Sequence, residues 1–232
     1  MLISPASHLF VIPPPHRYQH LIFDLGGVLI NLDYAAPIAA FAALSGSSEP
    51  LAFTQQGQAP LFDALETGQL PDANFRAALR RTYALPAKAT DTALDAAWNA
   101  ILRDFPAERL DLLRALRGAG YGLYLLSNTN ALHRAAFDDT LRRDYGLSDG
   151  LLPFFDAVYY SHEVGLRKPD PAIFRRVLTD HALAPGRTLF IDDSPQHVAA
   201  ARTVGLDALW LEPSQTITAE FPFFHALRGP AA

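Results

Sequence analysis

The sequence predicts an α/β protein: a doubly wound parallel sheet with a set of helices inserted after its first strand. Three observations lead there. Four short apolar runs each stop abruptly at polar residues, the pattern of strands buried on both faces of a parallel sheet. Helical patterns separate the later runs, and strand–helix–strand alternation implies right-handed crossovers. Residues 34 to about 105, by contrast, are rich in alanine and leucine at helical spacing and carry no strand pattern.

The first run is Leu21, Ile22 and Phe23, ending at Asp24. Asp33 reads as the cap of a helix beginning at Tyr34. Pro71 and Asp72 open another helix that runs through Phe75, Leu79 and Tyr83. The alanines at 35–43 suit a helix-packing surface, and Trp98 with Ile101 and Leu102 suits the interior of the insertion or its hinge. A helix over 106–116 opens with proline, has Glu108 in its first turn, and places Leu110, Leu113 and Leu116 on one side. Gly118, Gly120 and Gly122 precede the next strand rather than following one. They therefore mark a helix stop and turn, not a dinucleotide loop.

The second run is 123–126 ahead of Ser127, and the third is 157–160 ahead of Ser161. A helix over 171–181 carries Ile173, Phe174, Val177 and Leu178 on one side. The fourth run, Leu189, Phe190 and Ile191, stops at Asp192. Ser194 and Pro195 then read as the N-cap and first residue of a helix ending at Gly205. The expected division is a core of 1–33 and 106–232 and a helical cap of 34–105, placed to close over the strand ends as a lid.

The chain has 232 residues, half of them hydrophobic, enough for one globular core with a smaller inserted domain. Its formal charge of −5 and pI near 5.9 give no nucleic-acid footprint, so a phosphorylated substrate would need cations supplied by the site itself. There is no cysteine, which excludes disulfides, thiolate zinc sites and a cysteine nucleophile, and fits a cytoplasmic protein. The opening MLISPASHLFVIPPP lacks a basic leading region, and Pro13 to Pro15 would break a helix. Residues 1–19 are therefore expected to be a tail rather than a signal peptide or membrane span. A monomer or a homodimer is expected.

In a doubly wound sheet the ligand sits beyond the carboxyl ends of the strands. The residues expected there are Asp24, Ser127, Lys168 and the pair Asp192 and Asp193. Each alone has a plain structural reading: turn or helix caps for the aspartates and serine, an exposed loop lysine for Lys168. Together they suit phosphoryl transfer. Asp24 can attack phosphorus and split hydrolysis into two steps through an aspartyl phosphate. Asp24, Asp192 and Asp193 offer Mg²⁺ the hard oxygens it prefers, with the backbone carbonyl of Gly26 able to complete the set. Lys168 would offset the charge of the nucleophile and phosphoryl group, and Ser127 would donate a hydrogen bond to a phosphoryl oxygen.

Four blocks, FDLGGVL (23–29), LLSNTN (125–130), GLRKPDP (165–171) and FIDDS (190–194), resemble in order the four motifs of the haloacid-dehalogenase superfamily. The insertion lies where that family carries a small cap, and LETGQLPDANF resembles the caps of its phosphatase members. The DLGGVL and SNTNxLH wording is most similar to the branch of glucose-1-phosphatase-like enzymes. The resemblance implies a Rossmann-like core and Mg²⁺-dependent hydrolysis of a small phosphomonoester, with a sugar phosphate as the expected substrate.

One departure matters. Phosphatases of this superfamily place a second aspartate two residues after the nucleophile to protonate the leaving oxygen, and here that position is Gly26. General acid–base catalysis is typically worth about 10²–10⁴ in rate. A good leaving group, such as a sugar phosphorylated at its anomeric carbon, or a proton carried by another group would make up the loss. The gap also leaves two alternatives open: a metal-independent dehalogenase, and a non-catalytic binding or regulatory protein. Against the dehalogenase stands the acidic pair, which without a metal would pile like charges beside Asp24.

Three further residues are candidates for substrate binding. Asn128 follows the motif serine and would shape its loop. His133, one turn into the next helix, could face a substrate or carry a proton, although a surface histidine is the simpler reading. Arg167 could grip a sugar hydroxyl or phosphate, or simply be exposed. His197 reads as a support for the acidic pair or a solvated residue, because no other histidine has ligand spacing to it.

Overall fold

The computed structural model describes residues 17–45, 59–83, 85–86 and 88–221. The tail expected at the N-terminus therefore falls largely outside the described residues. Five parallel strands form one sheet: β1 (His20–Phe23), β2 (Gly122–Ser127), β3 (Ala157–Tyr160), β4 (Thr188–Asp192) and β5 (Asp207–Trp210). Their order is β3-β2-β1-β4-β5, so the first strand is central, paired through Ile22 with Tyr124 on one side and Phe190 on the other. The strand β5 carries no abrupt apolar run, because its four residues open on Asp207 and end on the exposed Trp210.

The helices named by position are α1 (Ala35–Ser45), α2 (Pro60–Glu66), α3 (Asp72–Thr82), α4 (Asp91–Asn99), α5 (Ala107–Gly118), α6 (Ala131–Tyr145), α7 (Ser161–Val164), α8 (Pro171–Asp180) and α9 (Pro195–Thr203). Successive strand side chains point to opposite faces, and the two layers follow from that alternation. Leu21, Phe23, Leu125 and Ile191 pack with Leu113 of α5 and Phe137 of α6. Ile22, Tyr124 and Phe190 face the other way, onto Phe174 of α8 and Val198 of α9.

Among the described residues four helices, α1 to α4, lie between β1 and α5 and share a cluster of their own around Phe41, Phe62, Phe75, Leu94 and Trp98. Asp33 caps α1 by accepting from the N–H groups of Ala35 and Ala36 at 3.0 and 3.2 Å, one residue later than expected. The alanine stripe is only partly a packing surface: Pro37 and Phe41 are buried, while Ala35, Ala39 and Ala43 are exposed. The two connections into and out of the insertion are stitched to each other, Asn31 N–H to Asp104 O and Asp33 N–H to Ile101 O, at 3.0 and 2.9 Å. Among the described residues no helix is long and apolar enough to cross a membrane.

Candidate active site

Asp24 and Asp192 follow Phe23 and Ile191, which are paired in register, so the two carboxylates emerge side by side from the sheet. Asp24 extends the ladder by one bond, its N–H donating to Ile191 O at 2.9 Å. Ser127 closes β2 and is buried beside them. The chain after β2 is fastened to the end of β3: Thr129 N–H donates to Ser161 Oγ at 2.9 Å, and that hydroxyl donates back to Thr129 O at 3.0 Å. Ser161, buried at a strand end, thus shapes the loop that carries Ser127 and Asn128.

Lys168 comes from the loop between α7 and α8, yet none of it is exposed. Asn128 fixes its backbone, accepting from Lys168 N–H through Oδ1 at 2.9 Å and donating from Nδ2 to Lys168 O at 2.8 Å. The ammonium then reaches Asp24 Oδ1 at 2.7 Å and Asp192 Oδ2 at 2.6 Å. Burial alone would lower the Lys168 pKa, but the attraction of Asp192 and Asp24 outweighs it and holds the group above its ordinary value. Burial pushes the Asp24 carboxyl up to about 6, Lys168 pulling it down and Asp192 adding repulsion. For Asp192, burial also works upward, but Lys168 and His197 prevail and the carboxyl is held below its usual range.

Asp192 has further partners. Its Oδ1 accepts from Ser194 N–H at 2.8 Å, and His197 Nδ1 lies 3.0 and 3.1 Å from its two oxygens. His197 is accordingly a buried partner of Asp192 and not a solvated residue. Ser194 occupies the N-cap position of α9, but its side chain makes no capping bond.

Both glycines that follow Asp24 and Leu25 make close approaches. At Gly27 the backbone has φ +69°, and a Cβ there would sit 2.0 Å from Asp193 Oδ2. At Gly26 a Cβ would meet Leu32 Cδ1 at 2.6 Å, so a side chain there would require the tip of that leucine to shift.

Asp24, Asp192 and Asp193 each present a carboxylate oxygen, all within 4.8 Å of one another. Lys168 supplies one positive charge against these three carboxylates. The donor set therefore fits a divalent cation that takes hard oxygen ligands.

A cavity of about 360 Å³ opens over these groups. Its apolar lining includes Leu32, Ile101, Leu102 and Phe137, and its polar lining includes Tyr34, Asp63, Glu66, His133 and Arg167. Burial first, then the nearby Asp193 and Asp24, raise the Tyr34 phenol well above its ordinary pKa. Tyr34, Asp63 and Glu66 lie in the helical insertion and not at the ends of the four strand runs, so the strand-end pattern does not single them out.

Two candidate residues sit differently from their simplest sequence reading. His133 is not on the surface: its ring stacks on Trp98, centroids 4.7 Å apart, and its Nδ1 lies 2.8 Å from Asn99 Oδ1. Burial pushes its pKa down to about 3, which keeps it neutral. Arg167 lines the cavity, but its guanidinium is held by the insertion, with Nε 3.0 Å from Glu66 Oε2 and one terminal nitrogen 2.7 Å from Asp63 Oδ1. Its side chain is 25% exposed, so it is not a free surface arginine.

A sheet whose strand ends bring Asp24, Ser127, Lys168 and two adjacent aspartates under a helical insertion defines a class, and the family comparison agrees with it. Residues 18–205 match the model of the haloacid dehalogenase-like hydrolases, and the chain belongs to that family. It is 28% identical to a D-ribitol-5-phosphate phosphatase of Bacteroides thetaiotaomicron, over 82% of this chain and 89% of that one. With a phosphoserine phosphatase of Thermus thermophilus it shares 31% identity over 76% of this chain and 69% of the other. A crystal structure of a haloacid-dehalogenase family enzyme from Bacteroides thetaiotaomicron, in complex with magnesium and inorganic phosphate, is similar with a TM-score of 0.73. It is 33% identical, covering 86% of this chain and 97% of that one.

Proposed function

We propose that this protein is a Mg²⁺-dependent phosphomonoesterase that hydrolyses a small phosphorylated metabolite, a sugar or polyol phosphate, through an aspartyl phosphate on Asp24. The observation that carries the reading is the contact of Lys168 Nζ with Asp24 Oδ1, beside two more carboxylates and at the floor of a cavity. The helices α1 to α4 act as the cap of that cavity, on a core of 1–33 and 106–232.

One Asp24 oxygen attacks phosphorus as the bond to the substrate's alcohol oxygen breaks, and water then attacks the phosphorus of the acyl phosphate to release inorganic phosphate. Lys168 keeps Asp24 ionised and offsets charge on the transferring group, and Ser127 donates a hydrogen bond to a phosphoryl oxygen. Asp24, Asp192, Asp193 and the Gly26 carbonyl would hold Mg²⁺, which supplies charge neutralisation at the phosphoryl oxygens. Gly26 offers no proton to the departing alcohol, so the reading favours a good leaving group such as an anomeric sugar phosphate. The two phosphatases named above act, by their names, on esters of primary alcohols, which widens the class to be tested. The acidic pair beside Asp24 speaks against metal-free displacement of halide.

The test is phosphate release from anomeric sugar phosphates, sugar 6-phosphates and polyol phosphates, with Mg²⁺ and with chelator, by the wild type and by Asp24→Asn. Release that requires both Mg²⁺ and Asp24 is expected. Release that survives chelation, or an active Asp24→Asn protein, would overturn the mechanism.

A further inference from the structure

The edge strand β5 does more than close the sheet. It pairs with β4 in register, Ile191 with Leu209 and Asp192 with Trp210. The ladder runs one bond further, Leu211 N–H donating to Asp192 O at 3.0 Å. Asp193 follows the last residue of β4, and there the Trp210 side chain takes over: its Nε1–H donates to Asp193 O at 3.0 Å. β5 thus grips two successive carbonyls, that of Asp192 through backbone and that of Asp193 through an indole. The grip falls on a turn that lacks a common fastening, since the Ser194 side chain makes no capping bond at the start of α9. Packing alone does not account for the indole. Trp210 is 39% exposed, whereas Trp98, the other tryptophan of the chain, is fully buried. Nor is Trp210 part of the cavity wall.

We infer that Trp210 is a positioning residue for the acidic pair: by holding the Asp193 carbonyl it sets the Asp193 carboxylate against Asp24 and Asp192. The inference rests on the Mg²⁺ reading of these three carboxylates and adds a residue, outside the cavity, that fixes one of them. The placement is tight on two sides. A Cβ at Gly27 would sit 2.0 Å from Asp193 Oδ2, so the carboxylate lies close against backbone. Its oxygen is also within 4.8 Å of those of Asp24 and Asp192, and rotation of the peptide between Asp193 and Ser194 would change that spacing. Mg²⁺ demands near-octahedral oxygen ligands at about 2.0–2.1 Å. A loosened carboxylate is therefore felt as lost affinity for the ion more than as lost stability of the fold.

Trp210→Phe keeps a ring at the strand end and removes the donor. Mg²⁺ affinity of the metal-free variant, measured by isothermal titration calorimetry, should weaken by about tenfold against wild type, the scale on which partners that orient metal ligands act. The Tm of the metal-free protein should fall by only a few degrees, because the side chain is partly exposed. The effect should pass through Asp193: in an Asp193→Asn background, adding Trp210→Phe should cost less than about threefold in affinity. Unchanged affinity in Trp210→Phe overturns the inference. So does a full tenfold loss in the Asp193→Asn background, which would place the effect elsewhere. A Tm lowered by more than about 10 °C in Trp210→Phe would make the indole a structural support of β5 and overturn it as well. Absence of Mg²⁺ binding by the wild type would instead overturn the metal reading of the three carboxylates, and this inference with it.

Discussion

Asn128 grips the backbone of Lys168 on both of its polar groups, the amide oxygen of one accepting from the N–H of the other and the amide nitrogen donating to its carbonyl. The two residues lie 40 positions apart in the chain. The grip positions an ammonium that must span two carboxylates, so it acts on Asp24 without touching it. Asn128→Ala should lower kcat by about 10²-fold, the usual penalty for a small misplacement of a reacting group. Asn128→Asp, which keeps the acceptor but lacks the donor, should fall between. Steady-state kinetics on any accepted ester checks this, and an Ala variant with unchanged kcat would show that Lys168 is held by other means.

Removing the charge of Lys168 leaves Asp24 and Asp192 buried without their shared cation. Lys168→Met is therefore expected to destabilise the fold by about 3–5 kcal/mol. For a chain of this size that lowers Tm by roughly 10 °C or more. Calorimetry of metal-free protein is the appropriate measurement, because a bound divalent cation would partly replace the lost charge. Turnover should vanish in the same variant.

Gly27→Ala would place a methyl carbon where Asp193 Oδ2 now lies 2.0 Å away, in a backbone conformation at φ +69° that already disfavours alanine. Asp193 must move. Mg²⁺ affinity measured by isothermal titration calorimetry should weaken by at least about tenfold, the scale seen when metal-site supports are removed. Unaltered affinity would remove Asp193 from the metal-binding set.

The leucine beside Gly26 makes the missing general acid a two-residue matter. Gly26→Asp alone should gain less than the double variant, because its Cβ meets Leu32 Cδ1 at 2.6 Å and the leucine tip must shift to admit it. Gly26→Asp combined with Leu32→Ala opens the space and should raise kcat on a primary-alcohol phosphate by about 10²-fold, the lower end of what a general acid contributes. If the double variant were no faster than the single one, leaving-group protonation would not limit the rate.

His133 gives the fold a pH dependence of definite sign. Folded, its pKa is pushed down to about 3 from 6.5 by burial, so between those values the unfolded chain binds the proton that the folded one refuses. Its contribution to stability is complete above pH 6.5 and is lost as the pH falls toward 3. The slope is at most about 1.4 kcal/mol per pH unit. Urea unfolding of wild type and His133→Gln at about pH 7.5 and about pH 5 should show the wild type losing more, by on the order of 1–2 kcal/mol. Equal losses would place a proton-accepting environment around the ring.

The core was legible where burial on both faces left unbroken apolar runs, as in 21–23 and 189–191, and the polar residues closing those runs are the ones the sheet brings together. β5 escaped because its four residues open on Asp207, which serves Arg17 and Tyr18, and end on the exposed Trp210, which leaves too short an apolar run. For His133 the pattern left a surface and a substrate-facing position open; the ring lines the cavity, and Trp98, a residue contributed by the insertion, covers the face it occupies on α6. Glu66 and Arg167 stand 101 positions apart, and each alone looks like a solvated charge. Pairings of that kind depend on how the insertion docks, which periodicity does not encode.

The two places where α2 and α4 touch the core are chemically unlike. On one side Trp98 lies flat against the buried His133; on the other Arg167, 25% exposed, meets Asp63 and Glu66 in an ionic contact. Salt screens the second contact and scarcely affects the first. The insertion therefore has a greasy pivot and an ionic latch, and a rise in ionic strength would free the latched edge first, admitting solvent to the cavity beside Arg167, Asp63 and Glu66.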